Sequence, residues 1–189
     1  MKKFLLLLCL SLALQGCIFV VGAAAGAAGV AIVYDHRKIE KLMIDENIVK
    51  AANAQIKANE QLRFKSHIDV NCFNQIVLLT GEALSPELRT LAFNIVQTVP
   101  NIKKIYNQIA IKGPTSSLTQ ASDSWITTKI KTQMLATKGL QSSNIKVVTE
   151  NGVVYLMGLV SLDQANISVN IARRVSGVQR VMKVFQYTD

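Results

Sequence analysis

The chain has 189 residues, 50% hydrophobic, 6% aromatic and 17% charged, with a net charge of +9. That is room for one medium domain or two small ones, too apolar for a disordered chain and too polar for a polytopic membrane protein. Three cysteines exclude a disulfide-dense framework, two histidines without a Cys-x-x-Cys pair exclude the common structural zinc sites, and the basic balance points to an anionic partner without choosing among nucleic acid, phospholipid and cell-wall polymer.

The N-terminus narrows that choice. Lys2 and Lys3 precede an apolar run from Phe4 to Leu14, which is too short for a finished membrane span and reads as a secretory signal. Leu14-Gln15-Gly16-Cys17 resembles the lipobox of bacterial lipoproteins. Small Gly16 admits the peptidase, and the Cys17 thiol would carry the lipid. Residues 1–16 are then a signal peptide, and 17–45 a lipidated N-terminus and tether. Ile18 instead of Asp after the cysteine suggests sorting to the outer membrane, lipid-anchored on its periplasmic face, where nucleic acid is not an expected partner. The apolar run 18–33 contains Gly22, Gly26 and Gly29 and reads as a membrane-hugging or flexible tether, with close helix packing in lipid as the alternative. Residues 34–45 balance their charges and read as solvated.

The remainder is one unit written twice. Ile68-Asp69-Val70 matches Ile145-Lys146-Val147, and Val77-Leu78-Leu79-Thr80-Gly81 matches Val154-Tyr155-Leu156-Met157-Gly158, both at an offset of 77. Ile48, Ala52 and Ile56 match Ile126, Ile130 and Met134 at 78. Each unit reads helix, strand, strand, helix, strand. In the second, Ile126, Ile130 and Met134 form one helical stripe, and Asp123 or Ser124 is expected to cap that helix. Ile145, Val147 and Thr149 alternate as a strand, Asn151-Gly152 forms a hairpin turn, and Val153 to Leu159 returns. Ser161 caps a second helix carrying Ile167, Ile171 and Val175, and Val178 to Tyr187 is the last strand. In the first unit Asn74-Gln75 makes the turn without a glycine, and Pro86 sits where a helix start tolerates it. The fold class is therefore α+β: two tandem αββαβ domains, 46–112 and 123–189, joined by a linker at 113–122, each with a three-stranded sheet covered on one face by two helices.

The paired strand ends Leu79-x-Gly81 and Leu156-Met157-Gly158, with the junction Val175-Ser176-Gly177-Val178, resemble the BON domain. A lipobox followed by two such units is similar to the outer-membrane lipoproteins that carry two BON domains, most closely at residues 125–129 and 149–160. That resemblance implies recognition of anionic phospholipid by the second domain, support of envelope integrity, and localisation to lipid-rich sites such as the division region.

No paired catalytic carboxylates, phosphate loop or nucleophile elbow occurs, so binding is expected and not catalysis, with no metal and no cofactor beyond the lipid on Cys17. Cys72 alternates with Ile68 and Val70 and reads as a buried core thiol. The candidate site lies on the first helix of the second unit. With Ile126, Ile130 and Met134 facing the core, Trp125, Lys129, Thr132 and Ala136 cluster on another face, Thr128 and Leu135 adjoin it, and Lys131 and Lys138 lie near its edge. An indole beside an ammonium suits an interface of phosphatidylglycerol or cardiolipin. By the helix pattern alone, a lone tryptophan is more often a partly buried packing residue, here one plugging the interface between the two units. Arg173, Arg174, Arg180 and Lys183 read as a solvated face. The competing function is an adaptor or chaperone-like module that binds an envelope protein. Peptidoglycan binding finds little support in four scattered tyrosines.

Overall fold

The computed structural model describes residues 36–188. The signal peptide, Cys17 and the apolar run 18–33 lie outside the described residues. Among the described residues no helix is long and apolar enough to cross a membrane.

Domain 1 begins with helix α1 (His36–Ala58) and a short helix α2 (Glu60–Lys65). Strands β1 (Ser66–Phe73) and β2 (Ile76–Ala83) form an antiparallel hairpin. Helix α3 (Pro86–Gln97) then crosses over to β3 (Lys104–Asn107) and β4 (Ala110–Ile111), which pair with β2 in parallel and together make a broken third strand. Domain 2 repeats the plan more regularly. Helix α4 (Ser117–Ala136) and a 3₁₀ turn (Ser142–Asn144) lead to β5 (Ile145–Glu150), antiparallel to β6 (Val153–Val160). Helix α5 (Leu162–Arg173) crosses to β7 (Arg180–Tyr187), parallel to β6. The expected αββαβ order is thus present in both halves.

Each domain has a core between its helices and one face of its sheet. Ile48, Ala52 and Ile56 from α1 meet Val70, Cys72, Val77 and Leu79, with Leu88, Ala92 and Val96 from α3. Ile126, Ile130 and Met134 from α4 meet Val147, Val154 and Leu156 in the same way. On α5 the buried stripe is Ala165, Ser168, Val169 and Ala172, so the expected core position Ile167 lies instead at the surface while Ile171 is half-buried. Small Ala165 and Ala172 let α5 approach the sheet closely, and bulky Ile167 is turned aside.

The other face of each sheet is not open to water. Ile76 and Leu78 of β2 pack against Tyr155 and Met157 of β6 and Val184 of β7, flanked by Phe73, Tyr106, Val148 and Met182. The two domains therefore stack sheet on sheet, with the helices as outer layers. Asn74, just before β2, bonds through its side chain to Gln186 near the end of β7. Glu82, near the end of β2, accepts from Asn151 Nδ2 just before β6 at 2.9 Å. The central strands of the two domains consequently run in opposite directions across the interface.

Two glycines explain the paired strand ends. A Cβ on Gly81 would lie 2.1 Å from the His67 carbonyl oxygen, and one on Gly158 would lie 2.5 Å from that of Asn144. Each marks where the hairpin partner's backbone crosses too closely for any side chain.

Two further expectations change. Helix α4 starts seven residues earlier than Ser124, with Ser116 accepting from the Thr119 amide at 3.2 Å. Much of the expected 113–122 linker is thus helix. Likewise α1 already includes residues 36–45, the end of the expected tether. Both differences free an aspartate for a second use. Asp123 Oδ2 and Oδ1 accept from the Asn151 and Gly152 amides at 2.7 and 2.9 Å. Asp45 Oδ2 and Oδ1 accept from the Asn74 and Gln75 amides at 2.6 and 2.7 Å. In both domains a carboxylate from the first helix ties down the hairpin turn. Because charged hydrogen bonds contribute roughly 1.5–3 kcal/mol each, Asp123→Ala should lower stability by on the order of 3 kcal/mol. Chemical denaturation checks this; a midpoint unchanged from the native protein would show that water replaces the carboxylate at no cost.

Candidate surface on helix α4

Helix α4 is amphipathic by construction. Its inner stripe, Ile126, Ile130 and Met134, is sealed in the core, which fixes the rotation of the whole helix. At about 100° per residue the opposite stripe is Leu118, Trp125, Lys129, Thr132 and Ala136. All of these are exposed. Trp125 is 50% exposed and takes no part in the core between the sheets. The alternative of a tryptophan plugging the two units is thereby excluded: aliphatic residues and Tyr155 fill that space. The Lys129 ammonium lies 5.8 Å from the centroid of the Trp125 ring, within reach of a cation–π contact.

The structure places the other candidates as follows. Thr128 and Leu135 flank the stripe and are exposed. Lys131 is exposed but sits about 120° around the helix from Trp125, on the side that runs towards Lys146 of β5. It is therefore not brought beside the indole. Lys138 lies beyond the helix end. Arg173, Arg174, Arg180 and Lys183 are exposed, as a solvated face requires. Leu118, 80% exposed, belongs to the same stripe as Trp125 and was not foreseen. The signal for it was present: Ser116 followed by Thr119 is a helix cap, and Leu118 stands seven residues before Trp125.

The polar atoms of the stripe are largely spoken for. Thr132 Oγ1 donates to the Thr128 carbonyl, and Thr128 Oγ1 to that of Ser124, each at 2.9 Å. Such back-bonding satisfies the hydroxyl donors within the helix and leaves the methyl groups at the surface.

Beside the stripe the charge changes sign. An open cleft of about 470 Å³ between β1 and α4 is lined by His67, Asp69, Asp123, Ser124, Thr127, Thr128 and Glu150 among others. Next to the lining residue Glu150, Asn151 Nδ2 bridges Glu150 Oε1 at 3.0 Å and Glu82 Oε1 at 2.9 Å, and Thr115 also donates to Glu82. Burial opposes the charge on Glu82, but the hydrogen bonds from Thr115 and Asn151 and the nearby Lys112 prevail and hold its carboxyl below the usual range. Glu150 goes the other way. Burial, then the negative charges of Glu82, Asp69 and Asp123, push it up to about 7 against weak opposition from Lys112. Among the described residues no group of three or more His, Cys, Asp or Glu could hold a metal ion.

Cys72 is buried, as expected from its place in β1. Its thiol donates to Asp45 Oδ1 at 3.2 Å, and burial followed by that bond raises it to about 12. Almost no thiolate forms at neutral pH, so it is a poor nucleophile.

Comparison with known proteins gives a consistent picture. The BON domain family matches residues 44–113 and 122–189. The chain is 32% identical over 190 residues to Outer membrane lipoprotein DolP of Haemophilus influenzae, covering 100% of this chain and 97% of that one. It is 35% identical to the 21 kDa hemolysin of Actinobacillus pleuropneumoniae, covering 82% of this chain and 80% of that one. It is 25% identical to Osmotically-inducible protein Y of Escherichia coli, over 82% of this chain and 78% of that one. These relatives are named as a lipoprotein, a hemolysin and an osmotically inducible protein, not as enzymes.

The raised Glu150 carboxyl gives a pH prediction. Its folded value near 7 exceeds the ordinary 4.5, so the folded state binds the extra proton, and this group works against the fold as pH rises from about 4.5 through 7. Glu150→Gln should therefore raise the melting temperature little near pH ~5 and clearly more near pH ~8. An equal effect at both would show that the cleft leaves this carboxyl unperturbed.

Proposed function

The chain belongs to the BON-domain family as an outer-membrane lipoprotein with two copies of the domain, and from that premise we propose that helix α4 of the second domain docks on anionic phospholipid. The observation that supports this is the half-exposed indole of Trp125 with the Lys129 ammonium 5.8 Å from its ring, on a helix whose rotation the core has fixed. An indole settles at the headgroup level because its ring is apolar and its N–H still needs a polar partner. Lys129 adds roughly 1 kcal/mol of attraction to an anionic surface. Leu118 and Leu135 extend the apolar stripe along a helix about 30 Å long, and the back-bonded threonines add little desolvation cost.

The acyl chains on Cys17 supply constitutive anchoring in this reading. The α4 contact supplies composition sensitivity, and the two together form a two-signal attachment. The protein senses where phosphatidylglycerol or cardiolipin is enriched, as at the division region, and supports envelope integrity there without catalysis. Its binding machinery needs no cofactor.

The unit 34–189, free of its anchor, should co-sediment with phosphatidylcholine vesicles only when phosphatidylglycerol or cardiolipin is added. Trp125→Ala should weaken that binding about tenfold, and Lys129→Glu, which reverses a charge worth roughly 1 kcal/mol, by about thirtyfold. Equal binding to neutral vesicles, or indifference to both substitutions, refutes the assignment.

A further inference from the structure

Domain 1 carries a second aromatic side chain turned to solvent. Phe64, near the end of α2, is 74% exposed, and Leu84, just after β2, is 55% exposed. The Arg63 guanidinium carbon lies 4.6 Å from the centroid of the Phe64 ring. Phe64, Lys65, Leu84, Lys112 and Pro114 share the rim of one shallow hollow. His67 belongs both to that rim and to the wall of the cleft under α4. Pro114 stands two residues before Ser116, the cap of α4. The hollow therefore ends two residues from the cap of α4, whose first turn carries the exposed Leu118.

The chemistry repeats that of the α4 stripe with different residues. A phenyl ring and about half of an isobutyl group remain in water, where burial would stabilise them. Arg63 and Lys65 form no ion pair among the described residues, and Lys112 reaches only Glu82, at 3.7 Å. Arg63, Lys65 and Lys112 border the exposed ring and isobutyl group, while the one carboxylate lining the hollow, Glu82, is buried. A bilayer bearing anionic headgroups has the matching order, with phosphates at the height of the guanidinium and ammonium groups and hydrocarbon beneath them.

We propose that the Phe64–Leu84 patch is a second bilayer contact, through which domain 1 sets its phenyl ring into the headgroup layer while Arg63 and Lys65 bind lipid phosphates. The inference rests on the reading of α4 as the bilayer-facing helix, because that reading turns to the membrane the helix whose cap stands two residues from the patch. Two contacts on two domains fix the orientation of the protein on the membrane, which one helix and an acyl tether leave free to swivel.

The chain has one tryptophan, so its fluorescence separates the two contacts. The full lipidated chain is placed on phosphatidylcholine vesicles with and without phosphatidylglycerol, the acyl anchor keeping it attached to both. In the double variant Phe64→Trp, Trp125→Phe, emission from position 64 should shift to the blue and be quenched by brominated lipid when phosphatidylglycerol is present. Both changes should be lost without it, and lost again when Arg63→Gln and Lys65→Gln are added. Water-like, unquenched emission at position 64 on phosphatidylglycerol, with Trp125 of the native chain quenched, overturns this proposal and leaves the α4 reading standing. Quenching at position 64 but not at Trp125 supports the patch and overturns the α4 reading. Quenching at neither site overturns both. A blue shift at position 64 that grows with protein concentration in the absence of lipid identifies a second copy as the occupant and also overturns the proposal.

Discussion

Strands β2 and β6 are apolar on both faces, and a pair of helices covers only one. In β2, Val77 and Leu79 point to the helices of domain 1, while Ile76 and Leu78 point the other way; in β6, Val154 and Leu156 contrast with Tyr155 and Met157. Leaving the second set in water would forgo several side chains' worth of burial, at roughly 1.5–3 kcal/mol each. Stacking the two sheets removes both exposed faces at once. The rest of the architecture follows: helices become the outer layers, the domains run antiparallel, and α4 is pinned from within by Ile126, Ile130 and Met134. The direction in which Trp125 points is therefore decided by the core of its own domain and by the sheet behind it, not by the indole itself.

The duplicated aspartate shows how the same device serves two unequal turns. Both hairpins need two residues at positive φ: Asn151 and Gly152 at 50° and 73°, Asn74 and Gln75 at 49° and 67°. Glycine accepts that conformation freely, whereas glutamine is strained there by roughly 1–2 kcal/mol. Two charged hydrogen bonds from Asp45 outweigh this strain, so domain 1 keeps the turn without its glycine. The missing glycine at Asn74-Gln75, visible in the sequence, captured the strain. It did not capture the aspartate that offsets it, because Asp45 lies 29 residues from Asn74 and only the fold brings them together.

What the sequence made legible was whatever repeats at short range. The four-residue spacing of Ile126, Ile130 and Met134, the alternation of β1 and β5, the Asn151-Gly152 turn, the helix start at Pro86 and the cap at Ser161 all follow from local rules, and the structure contains them. The outward face of α4 was legible for the same reason. Ile167 was misplaced because α5 offers two overlapping stripes, and close packing on the sheet favours the one with small Ala165 and Ala172. The early start of α4 was missed because Asp123 looks like a cap and is used as one, but for a turn in another element. The sheet stack left a trace in the unbroken apolar runs of β2 and β6, which alternate-face reasoning passes over. Phe64 left none: a single exposed aromatic has no period, and only its position beside Leu84 and Pro114 gives it meaning.

The net charge of +9 says little about where an anion would bind, because 12 acidic residues are also present. Their placement says more. Asp69, Asp123, Glu82 and Glu150 gather at the junction of the domains, where Asp123 accepts from the Asn151 and Gly152 amides, Asn151 links Glu82 to Glu150, and burial, then the neighbouring negative charges, push the Glu150 carboxyl up to about 7. Arg63, Lys65 and Lys129 stand outside that junction, each beside an exposed apolar side chain. On the reading proposed above, an anionic surface approaching the protein is repelled from the cleft and attracted to the two aromatic patches that border it. The acidic junction thus does two things with the same charges: through Asp123 it fastens the Asn151–Gly152 turn, and it leaves the exposed cationic, apolar patches to the outside of the molecule.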